Sequence, residues 1–540
     1  MAEKLTAHEA GDHVRGVCFK TGPPALVGVE LEWLVHDLVD PLRPVSAARM
    51  ERALDGLGGP GAFPGGSAFS REPGGQVELS SRPGRLAECV ADVAADTQVL
   101  RAALAAHGMA LASWGLEPFL ARSRILNLPR YQAMEAHFDR GGPWGRRMMR
   151  CTAGLQVNLD AGDEGTGIMG WRRRWELAHR LGPVLVAAFA NSPLWRGRPT
   201  GWRSGRQAVW RHTDPTRTRP PAYDGDPRDV WADYALDAAV LCIRSEEPHA
   251  WTSPPGLTFR GWLDGEVPGL RPATMEDLDY HLTTLFPPVR PRGWLELRMI
   301  DSQHGDEWVV PAAVCAALFD DPVAAEAAWE ATEPLCGSHP VPDAPTWTRA
   351  ARFGLSAPEF ATAALRCFTA AERALSQRAE SERAAPAHGG SERAQRAASG
   401  GAASARGGSE RAQRAESERA ASARGGSERA LSQRAGSEGA ASACGGSERA
   451  LSQRAESEGA ESVRGGSERA LHRSAGPANA LSSHVDGERA LCGGSGELHG
   501  AVSAFIERYV ARGRCPADDR LDALPGGASP APRQLQEAWR

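Results

Sequence analysis

The sequence predicts an α+β fold whose sheet is antiparallel. Four short stretches, residues 27–35, 76–80, 154–160 and 294–300, alternate polar and apolar side chains at the strand period. The helical patterns between them come at irregular intervals, unlike the strict strand–helix alternation of a parallel sheet. The chain's 540 residues are 41% hydrophobic, enough for a sizeable core.

Taken in order, residues 27–35 (VGVELEWLV) send Val29, Leu31 and Trp33 to one face and Glu30 and Glu32 to the other. Residues 76–80 oppose Val77 and Leu79 to Gln76, Glu78 and Ser80. Apolar residues at helical spacing predict a helix over 86–106. Residues 154–160 set Leu155, Val157 and Leu159 against Gln156 and Asn158, and further helices are predicted over 171–190 and 230–243. Residues 294–300 set Leu295, Leu297 and Met299 against Glu296 and Arg298; Trp33 and Trp294 are expected in the core. Helical patterns follow at 312–318, 359–375 and 498–512. Two segments rich in Gly, Pro and Asp, 56–70 and 214–226, read as mobile surface loops.

One stretch stands apart. From Thr369 through Ala504 there is no Phe, Trp or Tyr, and GGSERA recurs with its first Gly at 389, 407, 425, 445 and 465. Each unit has a Ser cap, good helix formers and a Gly pair, yet hardly more than one large apolar residue, too little for a solenoid's buried stripe. Residues 380–497 are therefore expected to be a disordered low-complexity insert. The amphipathic pattern after it, with Val502, Phe505, Ile506 and Tyr509, is expected to dock back onto the body. The expected organisation is one domain, 1–379 with 498–525, plus the insert and a disordered tail over 526–540.

Composition excludes several functions. The 62 Lys and Arg against 67 Asp and Glu give a formal charge of −5, which argues against coating nucleic acid or an anionic membrane. No stretch approaches the roughly 18 apolar residues of a membrane span, and the amino terminus lacks the apolar run of a secretory signal. The 10 cysteines form no C-x-x-C pair, so a reducing, cytoplasmic setting is expected. Neither lysine, Lys4 or Lys20, lies in a P-loop. There is no H-E-x-x-H and no G-x-S-x-G. Gly165-Thr-Gly167-Ile-Met-Gly170 matches G-x-G-x-x-G, but Ala161-Gly-Asp-Glu separates it from the preceding strand and puts acidic charge where pyrophosphate would sit.

The polar strand faces carry the chemistry. A one-sided sheet facing water would explain the alternation, but acidic residues are depleted in strands. Carboxylates at i and i+2 lie about 7 Å apart and repel unless a cation intervenes. Oxygen-only donors select hard ions, so the alternative is a concave sheet lined for Mg²⁺ or Mn²⁺. A second feature is residues 191–220, with seven arginines and Trp195, Trp202 and Trp210. Such interleaving suits single-stranded nucleic acid, but in a net-negative chain a loop clamping a compact anion through Arg is favoured.

The segments VGVELEWLV, GGQVELSSRP, CTAGLQVNLD, NSPLWRGRPTGWRSGRQAVW with DPTRT, and RGWLELRMID occur in an order that resembles the glutamate–cysteine ligases of the plant and bacterial type. Within that family the actinobacterial ergothioneine-pathway form is the nearest, and GRCPADD at 513–519 fits it. The resemblance implies a glutamine synthetase-like fold, a bowl-shaped antiparallel sheet with helices on its outer face. It also implies a reaction in which ATP phosphorylates the γ-carboxylate of L-glutamate and the amine of L-cysteine displaces phosphate. Glu30, Glu32, Glu78 and Glu296 are then the expected metal ligands, with Glu78 and Glu296 acting in catalysis. Arg298 is expected to bind ATP and neutralise the transferring phosphoryl group. Gln156 and Asn158 are expected to orient substrate, and Arg206 beside Trp210 to receive the glutamate α-carboxylate. A related ligase with another amine would share these features; a non-catalytic binding protein would be marked by loss of the strand carboxylates, and all four are present.

Overall fold

The computed structural model describes residues 4–246, 250–384 and 494–524. The tail and nearly all of the insert lie outside the described residues. Nine strands are present among those described: β1 Val27–Asp37, β2 Ala68–Arg71, β3 Val77–Ser80, β4 Met109–Ala112, β5 Gly154–Asp160, β6 Leu194–Trp195, β7 Arg198–Pro199, β8 Val289–Pro291 and β9 Trp294–Asp301. Seven form one sheet in the order β2-β3-β1-β5-β9-β8, with β4 paired to the far end of β1. All of its pairings are antiparallel. The fold is α+β with an antiparallel sheet, as the alternating stretches predict.

Val29, Leu31, Val77, Leu79, Leu155, Val157, Leu295 and Leu297 are buried together. They pack under the helices Leu86–Ala105, Trp171–Ala188 and Val309–Asp320, which touch β1, β9 and β5 respectively. β1 stops where Asp37 turns the chain, its carboxylate accepting from the backbone N–H groups of Val39 and Asp40 at 3.0 Å each. The β2–β3 turn depends on two glycines. Gly75 has φ +86°, and a Cβ on Gly74 would stand 2.1 Å from the carbonyl oxygen of Arg150.

Several expectations need correction. The segment 56–70 is tied down, because buried Asp96 accepts from the N–H groups of Gly65 and Ser67 at 2.6 and 2.9 Å and Phe63 is buried. The segment 214–226 contains a short helix, Pro215–Thr218, whose Arg217 is fully buried against Asp214 and the carbonyl of Thr284. The helix expected over 230–243 is Pro227–Asp237, set earlier by its Asp226 cap and Pro227. Trp294 is 38% exposed and donates from its indole to Asn158 Oδ1 at 3.1 Å, so it belongs to the polar face.

The edges of the expected insert are ordered. One helix runs Pro358–Ala384, and after the undescribed residues another runs Ser495–Arg508. Phe505 of the second packs on Phe189 and Phe368, with ring centroids 5.2 and 5.8 Å apart. Ser495 Oγ donates to Glu382 at 2.7 Å, which brings the two edges of the undescribed segment together.

Candidate active site

Cross-strand register assembles the site. In an antiparallel ladder directly opposed residues share a face. Glu32 opposes Glu78, Glu30 opposes Gln156, and Asn158 opposes Glu296. A bulge in the β5–β9 ladder between Leu155 and Val157 shifts the register, and Arg298 reaches Gln156 Oε1. The polar halves of the four alternating stretches therefore form a continuous patch in the middle of the sheet.

The carboxylates divide into two kinds. Glu296 is fully buried and gripped by Arg290, which donates from Nη2 at 2.9 Å and from Nε, while Arg298 Nη1 lies 3.2 Å away. Burial alone pushes its proton affinity up, but Arg290, Arg298 and Arg292 outweigh this and hold it well below the usual carboxylate range. The others are held mainly by amides and hydroxyls. Glu30 accepts from Asn158 at 3.3 Å, and Glu32 from the Gly154 N–H at 2.7 Å and from Gln156 at 3.3 Å. Glu78 accepts from Ser70 and Ser80 at 3.1 Å each. Burial, then the charge of Glu296, raises the Glu30 carboxyl to about 6. Burial, then Glu30, Glu72 and Glu32, raises Glu78 well above its ordinary value.

Glu72 is a member the sequence reading missed. It sits in the turn after β2, fixed where its N–H donates to the Gln76 carbonyl at 2.9 Å. Burial and the nearby Glu32 raise it to about 7. Its only signal in the sequence was a Glu directly before Pro-Gly-Gly, a turn pattern easily assigned to solvent. Among the described residues no three Asp, Glu, His or Cys side chains stand together as a finished metal cage. The carboxylates share a face and a field without meeting at one point.

Next to this patch lies a small, partly open cleft lined by Arg206, Trp210, Phe286 and Arg298, with Gln207 and Met299 beside them. Arg206 and Trp210 come from the helix Gly205–His212, which Ser204 caps by accepting from the Gln207 N–H at 3.2 Å. The Arg206 side chain is buried. Its Nη2 donates to the Arg298 carbonyl at 3.0 Å, while Nε and Nη1 have no hydrogen-bond partner. Buried unpaired guanidinium donors are costly unless an anion fills them. Gly154 makes the space, since a Cβ there would stand 2.4 Å from Arg206 Nη2. The structure thus gathers Arg206, Trp210 and Arg298 in the cleft and Glu30, Glu32, Glu78, Glu296, Gln156 and Asn158 on the adjoining face. Arg298 is common to both. Trp195 and Trp202 are buried and present no ring face for a base to stack on.

The sequence model of glutamate-cysteine ligase family 2 (GCS2) matches residues 26–434. The chain belongs to this family. It is 43% identical over 387 residues to the glutamate–cysteine ligase EgtA of Mycolicibacterium smegmatis, covering 70% of this chain and 87% of that one. It is 42% identical over 375 residues to EgtA of Mycobacterium tuberculosis, covering 67% and 82%. A chloroplastic glutamate–cysteine ligase of Medicago truncatula is 31% identical over 345 residues, covering 59% of this chain and 66% of that one. As a glutamate–cysteine ligase, the chain is an ATP-using enzyme. Among its described residues no helix is long and apolar enough to cross a membrane.

Proposed function

We propose that this ligase joins the γ-carboxylate of L-glutamate to the amine of L-cysteine, driven by ATP, and so supplies γ-glutamylcysteine for ergothioneine synthesis in the cytoplasm. The observation that carries this reading is the placement of Arg298 between the carboxylate face and a cleft whose Arg206 has two buried, unpaired donors.

Oxygen donors alone, from three separate strands and one turn, suit Mg²⁺ or Mn²⁺ and not a softer ion. Burial, together with neighbouring carboxylates, raises Glu30, Glu72 and Glu78, the behaviour of a donor set that a divalent cation relieves. Glu30, Glu32, Glu72 and Glu78 would hold such ions. Glu296, with its oxygens largely taken by arginine, would contribute only a remaining lone pair. The ions supply charge neutralisation between the ATP phosphates and the attacking carboxylate.

The protein's own groups do the rest. Arg206 grips the glutamate α-carboxylate with its free donors, against the indole of Trp210. That directs the γ-carboxylate toward Arg298. Glu296 and Gln156 fix Arg298, whose charge stabilises the phosphoryl group as it transfers. Gln156 and Asn158 hold Glu32 and Glu30 in place by donating to them. No side-chain nucleophile is required, because the γ-carboxylate itself attacks ATP and the cysteine amine attacks the resulting acyl phosphate. Catalysis is positioning and electrostatics.

Incubating the protein with ATP, Mg²⁺, isotopically labelled glutamate and a panel of amines, then weighing the products, tests this. The expected product is γ-glutamylcysteine, with ADP and phosphate released in step. Glutamate-dependent phosphate release that is indifferent to cysteine, with another amine in the product, would reject cysteine as the acceptor.

A further inference from the structure

We infer that the short carboxy-terminal helix Pro516–Asp522, which follows the undescribed segment in sequence, is a positioning element for Arg206. The inference rests on the reading of Arg206 as the glutamate carboxylate receptor. The helix begins at Cys515, whose N–H donates to Asp518 at 2.9 Å. It is joined to the segment that carries Arg206 at three points. The Ala517 N–H donates to the Ala190 carbonyl at 2.9 Å, and the Asp518 carboxylate lies 2.7 Å from Arg203 Nε. Arg520 donates to Asn191 Oδ1 at 3.2 Å and to the Ser113 carbonyl at 3.1 Å, with its guanidinium 4.1 Å from the centre of the Trp114 ring.

Those contacts lead on to Arg206 through buried hydrogen bonds. The Asn191 N–H and Ser192 Oγ donate to Asp301 Oδ2 at 2.9 and 2.6 Å, and Ser204 Oγ donates to Asp301 Oδ1 at 2.9 Å. Ser192 Oγ in turn accepts from the Arg206 N–H at 3.0 Å. Asp518 and Arg520 therefore hold Arg203 and Asn191, immediate neighbours of the two serines that Asp301 pins. Packing repeats the pattern: Leu521 closes a small cluster with Leu34, Ala112, Trp114, Ala153 and Leu194, separate from the main core. Leu34 belongs to β1, two residues beyond Glu32 on the same side of the strand. The helix thus packs at the end of the catalytic face while bracing the backbone of Arg206, through contacts to Ala190, Asn191, Arg203 and Trp114. A misplacement of the order of 1 Å is enough to weaken a bidentate clamp.

The test is steady-state kinetics of full-length Arg520→Ala, Arg520→Lys and Asp518→Asn, with Arg206→Ala in parallel. The expected result is a glutamate KM raised about tenfold in Arg520→Ala, with kcat and the ATP KM within about threefold of wild type. Arg520→Lys should recover part of the loss. If Arg520→Ala does not fold, Asp518→Asn decides by the same split. Unchanged glutamate KM in folded Arg520→Ala or Asp518→Asn, or a fall in kcat and both KM changes together with the melting temperature, would overturn the inference. Arg206→Ala with an unchanged glutamate KM would instead overturn the reading of Arg206.

Discussion

Glu78 stands where burial and three neighbouring carboxylates all oppose its ionisation, with only hydroxyl donors for company. Such a group destabilises the fold in exchange for a field that grips cations. Glu78→Gln removes that repulsion and keeps the shape. We therefore expect its kcat to fall at least 10²-fold, on the order of 3 kcal/mol of lost stabilisation, while the melting temperature stays level or rises. A variant retaining half its activity would remove Glu78 from the site. Arg206→Lys probes the cleft. Lysine keeps the charge but loses the planar fork, so the glutamate KM should rise roughly 10–100-fold with the ATP KM little changed. An unchanged glutamate KM would show that the fork does not read the carboxylate.

Two helices bury neutral histidines. His179, in Trp171–Ala188, is lowered to about 4 by burial, and His281, in Met275–Leu282, to about 3 by burial and then Arg217. His281 is packed against Phe259, with its Nε2 2.8 Å from the Ala235 carbonyl. Below pH 6.5 the unfolded chain takes up these protons and the folded one does not, so stability falls as pH drops from about 6.5 toward 4 and then 3. The raised carboxylates act in the opposite sense between their ordinary value and about 7. The clean test is therefore a difference. Between pH 6 and 4.5, His281→Gln should lose stability less steeply than wild type by about one proton, close to 1.4 kcal/mol per pH unit. Equal slopes in denaturant titrations would show that His281 is not held neutral. At this scale much was legible in the sequence. The period-2 alternation located β1, β3, β5 and β9 and the contents of their polar face, because the strand period leaves few choices once one face is apolar. β2 (AFSR) and β4 (MALA) do not alternate polar and apolar residues, and the three-residue β8 is too short to show a period. Glu72, Arg290 and Asp301 were missed for a related reason. Two belong to a turn and a very short strand, and the third is a strand-end residue whose role appears only through Ser192 and Ser204, far away in sequence.

Across the whole molecule, the edges of the undescribed segment meet at the Glu382–Ser495 hydrogen bond. Replacing residues 386–492 by a short Gly/Ser linker should therefore leave kcat within about threefold of wild type, since each halving of a loop changes its closure cost by only about 0.6 kcal/mol. A larger loss would give the repeats a part in turnover. Repeat composition was legible at once; the return of the chain to brace the Arg206 segment was not, because it depends on contacts between residues more than 300 positions apart, such as Arg520 and Asn191. Turnover depends, in this reading, on strand and turn carboxylates that together hold divalent cations beside an arginine cleft. The most direct test of this is a Mn²⁺ titration of the full-length protein followed by electron paramagnetic resonance, comparing wild type with Glu30→Gln, Glu72→Gln and Glu78→Gln. The account predicts saturable Mn²⁺ binding by wild type, displaced by Mg²⁺ and weakened at least about tenfold by each substitution. Equal Mn²⁺ affinity in wild type and all three variants would contradict it.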